Sequence, residues 1–170
     1  MSYTTNRQPQ GMSRNIKSLL REGAVAEIVA INDYSYFIRK TDIKDLKKLF
    51  HHIMEDEKRH YGMFLKALRN IDKEEKELEE EAKEHVNISN KTKIKANESK
   101  SDNNSDILDF IRDGIKGELE AIILYDSLVE IIEDKCIKEI INEITRDEKE
   151  HVEELTRALL ILDKDTYGDL

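Results

Sequence analysis

One five-residue pattern is written twice in this chain, as Asp56-Glu57-Lys58-Arg59-His60 and as Asp147-Glu148-Lys149-Glu150-His151. In each copy a Glu and a His stand three residues apart. On an α-helix that spacing is about 300° of rotation and ~4.5 Å of rise, so both side chains share one face. Around each copy, apolar residues recur at three- and four-residue steps, which places the pair in the middle of an inward stripe. Polar groups there are costly unless they are paired or bound to metal. The chain must therefore fold so that its two costly faces meet.

The chain reads as four long helices. The first runs from about Arg14 to Arg39, with Ser13 as cap and a stripe of Ile16, Leu20, Ala24, Glu27, Ile31, Tyr34 and Ile38. Lys40-Thr41-Asp42 is a short connection, with Thr41 or Asp42 capping the second helix. That helix points Leu46, Leu49, Phe50, Ile53, Glu57, His60, Phe64, Ala67 and Leu68 inward. The Glu- and Lys-rich run from Lys73 to His85 extends it toward solvent, and Asn87 to Ser105 is loose. The third helix starts near Asp106, capped by Ser105 or Asp106, and carries Ile107, Ile111, Ile115, Glu118, Ile122, Tyr125 and Val129. The fourth runs from about Lys135 to Leu162, with Ile137, Ile140, Ile141, Ile144, Glu148, His151, Leu155 and Leu159 inward.

These helices form one domain over 13–163, made of hairpins 14–72 and 106–163 joined by a charged linker 73–105. Polar tails flank it at 1–12 and 164–170. Glu27 and Glu118 are separated by 91 residues, and the halves align without a gap at that offset. Residues 14–72 match 105–163 at 17 of 59 positions, and the inward polar residues are among those kept. Arg21/Arg112, Gly23/Gly114 and Tyr34/Tyr125 are kept as well. Two hairpins related by a dyad perpendicular to the bundle make the second and third helices parallel. The linker must then travel back along ~39 Å of helix, which explains its length.

Composition narrows the class. One Pro, six Gly, no Trp and 38% charged residues favour long helices. The net charge is −9 with both signs interspersed, so no basic groove for nucleic acid is expected. Apolar runs are too short for a membrane span, and a signal-peptide core is not seen, which reads as cytoplasmic. The single cysteine, Cys136, rules out a disulfide framework or a four-cysteine metal site within the chain, and reads as a small buried apolar residue.

Six inward groups remain as candidate metal ligands: Glu27, Glu57, His60, Glu118, Glu148 and His151. Bundles that hold two iron or manganese ions use this donor set, one Glu from each of two helices and Glu-x-x-His from each of the others. Four carboxylates carry −4 and two divalent ions +4, so the site neutralises on loading. Glu57 and Glu148, near the dyad, are expected to bridge and to take part in catalysis. Asp56 and Asp147 are placed to reach the histidine of the opposite helix. Tyr34 and Tyr125, two turns beyond Glu27 and Glu118, are placed to hold a ligand carboxylate of the other half and to act in catalysis. Gly23 and Gly114, one turn before the same glutamates, mark either a small-molecule path or a close helix approach. Lys58, Lys149, His51, His52 and His85 read as surface residues.

Glu27-Ile28-Val29-Ala30-Ile31-Asn32-Asp33-Tyr34 with Asp56-Glu57-Lys58-Arg59-His60, and their second copies, resemble the ferritin-like di-iron superfamily, closest to its rubrerythrin and bacterioferritin types. The resemblance implies an all-α, ferritin-like four-helix bundle of two repeated antiparallel hairpins with a long crossover connection. It implies a two-iron centre that oxidises Fe(II) or reduces O2 or H2O2, with an external electron donor if peroxide is the substrate. Rubrerythrins usually carry a further Glu where this chain has Ala121, and a rubredoxin domain that is not seen here. Lys58 replaces the haem Met of bacterioferritins, so no haem is expected. Manganese in place of iron, iron storage in a homo-oligomer, and a metal-free structural bundle are the alternatives.

Overall fold

A computed structural model describes residues 15–86, 88, 104–164, 167 and 168. Among them the chain forms five helices and no strand: α1 (Ile16–Lys40), α2 (Lys44–Ile71), α3 (Lys73–His85), α4 (Asn104–Ile131) and α5 (Lys135–Leu162). The tail 1–12, the cap Ser13 and nearly all of Asn87 to Ser105 lie outside the described residues. No described helix is long and apolar enough to cross a membrane.

Helix ends follow local chemistry, not always as the sequence suggests. Asn15 caps α1, its side chain accepting from the Lys17 N–H at 2.9 Å. Ile43 occupies the cap of α2 with no side-chain bond, so neither Thr41 nor Asp42 caps it. Buried Thr41 instead accepts the Ile43 N–H at 3.2 Å and shapes the approach. Helix α4 begins at Asn104, so Ser105 and Asp106 already have helical backbone. Asp134 caps α5 through the Ile137 N–H at 3.0 Å.

The charged run after Asp72 is helical, but it is a separate helix. Asp72 is extended (φ −122°, ψ 104°) and breaks the chain between α2 and α3. Its carboxylate is turned toward Lys17 at 3.1 Å and Arg21 at 3.4 Å on α1. Helix α3 buries none of its residues and is tied down by Arg21–Glu75 (2.7 Å) and Arg69–Glu79 (3.1 Å). The second hairpin repeats this clasp: Arg112 meets Asp163 at 2.6 Å, and the Tyr167 hydroxyl at 3.0 Å. Both Arg and both Asp are positions that the two halves share.

Helices α1 with α2 and α4 with α5 form antiparallel hairpins. Tyr34 meets Glu118 while Tyr125 meets Glu27, so α1 and α4 are antiparallel. Arg59 meets Asp147 and His52 meets Glu154, so α2 and α5 are antiparallel too. Helices α2 and α4 therefore run the same way.

Two apolar cores fill the ends of the bundle. One contains Leu20, Phe64, Leu68, Leu128, Ile137, Ile141 and Ile144; the other contains Phe37, Leu46, Phe50, Ile53, Ile111, Leu155 and Leu159. The repeat exchanges them: Leu20 becomes Ile111, Phe64 becomes Leu155, Phe50 becomes Ile141. Late in α1 and α4 the buried face turns by one residue. Phe37 and Leu128 are buried where Ile38 and Val129 were expected, and these are only half-buried. The cause in α1 is the second neighbour, since Phe37 stacks on Phe110 of α4 with centroids 5.1 Å apart. Cys136 is exposed, not buried. It sits in the first turn of α5, and its repeat counterpart Asp45 is exposed as well.

The hydrogen bond from Lys17 holds the Asp72 carboxyl below its ordinary value. A group lowered on folding stabilises above its unfolded pKa of ~3.9 and loses that contribution as pH falls through the folded value. Asp72→Asn is expected to melt below wild type at pH 7. In circular dichroism melts the gap should close as pH drops beneath ~3.9.

Candidate metal centre

Between the two apolar cores lies a polar layer. Glu27 on α1, Glu57 and His60 on α2, Glu118 on α4, and Glu148 and His151 on α5 are each at most 3% exposed. Each sits where the helical period of its own stripe puts it, and the dyad brings the four stripes together. The atoms form two clusters, Glu27-Glu57-His60-Glu148 and Glu57-Glu118-Glu148-His151, with candidate ligand atoms in each within 4.8 Å of one another. Glu57 and Glu148 belong to both clusters.

The imidazoles organise each cluster. His60 Nδ1 faces Glu148 Oε1 at 3.1 Å, Glu57 Oε2 at 3.3 Å and Glu27 Oε2 at 3.9 Å. His151 Nδ1 faces Glu148 Oε2 at 3.2 Å, Glu57 Oε1 at 3.3 Å and Glu118 Oε2 at 3.9 Å. The other ring nitrogens look outward across the bundle: His60 Nε2 lies 3.2 Å from Asp147 and His151 Nε2 lies 3.6 Å from Asp56. The Tyr34 hydroxyl donates to Glu118, and the Tyr125 hydroxyl donates to Glu27, each across the α1–α4 seam.

This layer fits a pair of cations. One Nδ1 can direct a single hydrogen at a single oxygen, yet each faces three carboxylates. Glu57 Oε1 and Glu148 Oε1 are accordingly buried without an aligned hydrogen bond, although a histidine nitrogen stands near each. A cation in each cluster would satisfy these oxygens and the Nδ1 lone pairs together, while Nε2–H faces an aspartate.

Without metal, protons carry the balance. Burial pushes Glu27 and Glu118 well above the usual carboxylate range, helped by the charges of Glu148 and Glu57. Burial acts on Glu57 in the same direction, but hydrogen bonds from His151 and His60 outweigh it and hold Glu57 at about 2. Burial lowers His60, and hydrogen bonds to Glu148 and Glu57 reverse this to about 10. His151 moves up for the same reason, with Glu118 as its first partner. Burial keeps Tyr34 and Tyr125 protonated, so their hydroxyls remain donors.

A cleft of about 350 Å³ opens onto this layer between α1 and α4, with Glu27, Glu57 and Glu118 in its lining. Ala26 and Ala30 line it together with their repeat counterparts Gly117 and Ala121. The small residues let the cleft reach in as far as the buried glutamates. The two conserved-by-repeat glycines divide the roles proposed for them. A Cβ at Gly23 would run into the Phe64 ring, so that glycine permits a close helix approach. Gly114 lines the cleft, and a Cβ there would meet Leu155 at 3.2 Å and the Tyr34 hydroxyl at 3.3 Å.

Two dyad-related clusters of Glu and His inside such a bundle define a ferritin-like carboxylate protein. The family model described as Rubrerythrin matches residues 18–159, and the chain belongs to that family. A curated relative from Pyrococcus furiosus, a ferritin-like–encapsulin shell fusion protein, is 32% identical over 74 residues, covering 44% of this chain and 21% of that protein. The chain thus spans about a fifth of that relative. A solved structure of a hypothetical Pyrococcus furiosus protein matches with TM-score 0.68 at 21% identity, covering 87% of this chain and 90% of that one.

Two features escaped sequence reasoning. Exposed His52 lies over the His151 ring, 6.3 Å between centroids, and 3.6 Å from Asp56. Arg59 lies 2.6 Å from Asp147 and 3.1 Å from Asp56. The available signal for both was a break in the repeat, since their counterparts are Glu143 and Glu150. Lys58 and Lys149 are exposed, as are His51 and His85.

Glycine contacts set a stability contrast. Phe64 is fully buried and cannot retreat, so Gly23→Ala should cost ~1–3 kcal/mol of overpacking against a helix-propensity gain of at most ~1. Gly114→Ala needs shifts of only a few tenths of an ångström and should stay near wild type. Urea denaturation of both variants measures the difference.

Proposed function

We propose that this chain is a di-iron carboxylate oxidoreductase that oxidises Fe(II) or reduces O2 or H2O2. The observation that carries this reading is the pair of buried four-residue clusters sharing Glu57 and Glu148. In this reading Glu27, Glu57, His60 and Glu148 would hold one iron ion and Glu57, Glu118, Glu148 and His151 the other. Bound iron would supply one-electron redox chemistry there. Peroxide reduction consumes two electrons and two protons per peroxide and yields two waters, so an external electron donor is required.

The protein's own groups serve that chemistry in distinct ways. Asp147 and Asp56 orient the imidazoles so that Nδ1 points inward. Tyr34 and Tyr125 hold Glu118 and Glu27 through hydroxyl hydrogens, which fixes one carboxylate oxygen and leaves the other to a cation. The α1–α4 cleft admits O2 or H2O2 past Ala30 and Ala121. The apolar cores above and below exclude bulk water from the layer. No haem is part of this proposal, and cytoplasmic action is.

Iron storage is the second reading, favoured by the sequence match to the ferritin-like–encapsulin fusion. It requires a homo-oligomer or a host shell to contain the mineral. Manganese in the same ligands, giving a catalase-like centre, is distinguished by metal analysis alone.

Anaerobic Fe(II) titration followed by oxidant is the deciding experiment. Saturation at two Fe per chain and a di-ferric absorption band support the oxidoreductase. Hundreds of Fe per assembly would establish storage, and no uptake by a folded protein would remove every metal reading. Glu57→Ala should abolish paired binding, while Lys58→Ala on the exposed face should leave it intact.

Loading must also displace protons. His60 is protonated up to about 10 in the metal-free protein, so metal uptake at pH 7 should release protons and its affinity should rise with pH. Titration in weakly buffered solution with a pH indicator reads this release. A pH-independent affinity between 6 and 9, on the scale of the ordinary His pKa of ~6.5, would contradict it.

A further inference from the structure

The repeat makes the two metal clusters equivalent in their ligands but not in what stands behind them. Arg59 follows Glu57 by two residues, and its repeat counterpart is Glu150, so dyad-related positions differ by two units of charge. We propose that Arg59 is a positioning residue that makes the two metal positions unequal, so that the one built on His151 fills before the one built on His60. The inference rests on the metal-binding reading above.

The geometry turns on which oxygens are shared. Arg59 Nη2 lies 2.6 Å from Asp147 Oδ2, the same oxygen that His60 Nε2 faces at 3.2 Å. A charge-assisted bond of that length dominates the oxygen and neutralises the carboxylate. Asp147 is then a weaker acceptor for the His60 N–H, and His60 a weaker donor to a cation. The guanidinium also stands 3.4 Å from His60 Nε2, where its charge opposes a second cation on that ring. Behind His151 the arrangement differs. Arg59 takes Asp56 Oδ1 at 3.1 Å, while His151 Nε2 and His52 Nδ1 face Oδ2, each at 3.6 Å. Among the described residues no guanidinium competes for that oxygen.

The surrounding charges point the same way. Near His151, Glu154 stands 3.9 Å from His52 where the repeat has Met63. On the His60 side the exception is Glu143, the counterpart of His52. It is 61% exposed and lies 3.5 Å from Arg59 Nη1, so its charge is screened by solvent and shared with Arg59. The His151 position therefore faces the more negative environment.

Co²⁺ is the probe. The metal-free full chain is titrated with Co²⁺ and followed by calorimetry and by the visible ligand-field absorption. Wild type should show two steps whose dissociation constants differ by at least about tenfold, the scale of an outer-shell change. Arg59→Gln should tighten the weaker step and bring the two within about threefold. Arg59→Lys, which keeps the charge, should retain most of the separation. His60→Gln should remove the weaker step and leave the tighter one with its absorption unchanged. A single unresolved step in wild type, an unchanged separation in Arg59→Gln, or loss of the tighter step in His60→Gln each overturns the proposal. Two equal steps would sink this inference while sparing the metal-binding reading. No Co²⁺ uptake by wild type would sink both.

Discussion

The fold is arranged around the burial of four carboxylates and two imidazoles in one layer at the middle of the bundle. None of these groups is tolerable there alone, since desolvation of an isolated charge costs more than packing returns. Together they trade protons. Glu27 and Glu118 take them up, Glu57 gives its proton away, and the imidazoles gain them. Under the proposed reading, a centre built this way would exchange those protons for cations.

Everything outside the layer serves to hold it. The apolar cores at either end exchange under the repeat, so the layer is clamped symmetrically. Arg21–Asp72 and Arg112–Asp163 close the open end of each hairpin. Two tyrosines stitch α1 to α4 through Glu118 and Glu27. Where the symmetry fails, at Arg59 and at His52, it fails behind the histidines and not among the inward groups. The outer environment can differ between the clusters without changing either donor set.

Much of this was legible in the chain. Glu27, Glu57, His60 and their copies interrupt apolar stripes at helical spacing, and a polar residue in such a stripe is informative because burying it is expensive. Comparing the two halves separated Glu-x-x-His from the many Glu and Lys of the surface. The cap at Asn15, the break at Asp72 and the burial of Phe37 were not legible. Each depends on a partner from another helix or on competition between neighbouring polar side chains. Cys136 is exposed because its register on α5, and not its residue type, sets the face it occupies. Its counterpart Asp45 carried the better information.

Sequence alone determined the four long helices, the twofold repeat and the inward polar set, because a 3.6-residue period and a constant offset are properties of the chain itself. Tertiary structure decided which oxygens each histidine faces, that Gly23 admits the Phe64 ring while Gly114 opens on the cleft, and that one guanidinium reaches both outer aspartates. Those outcomes depend on distances between side chains on different helices. Such distances are set by how the hairpins dock, a relation that no local pattern encodes.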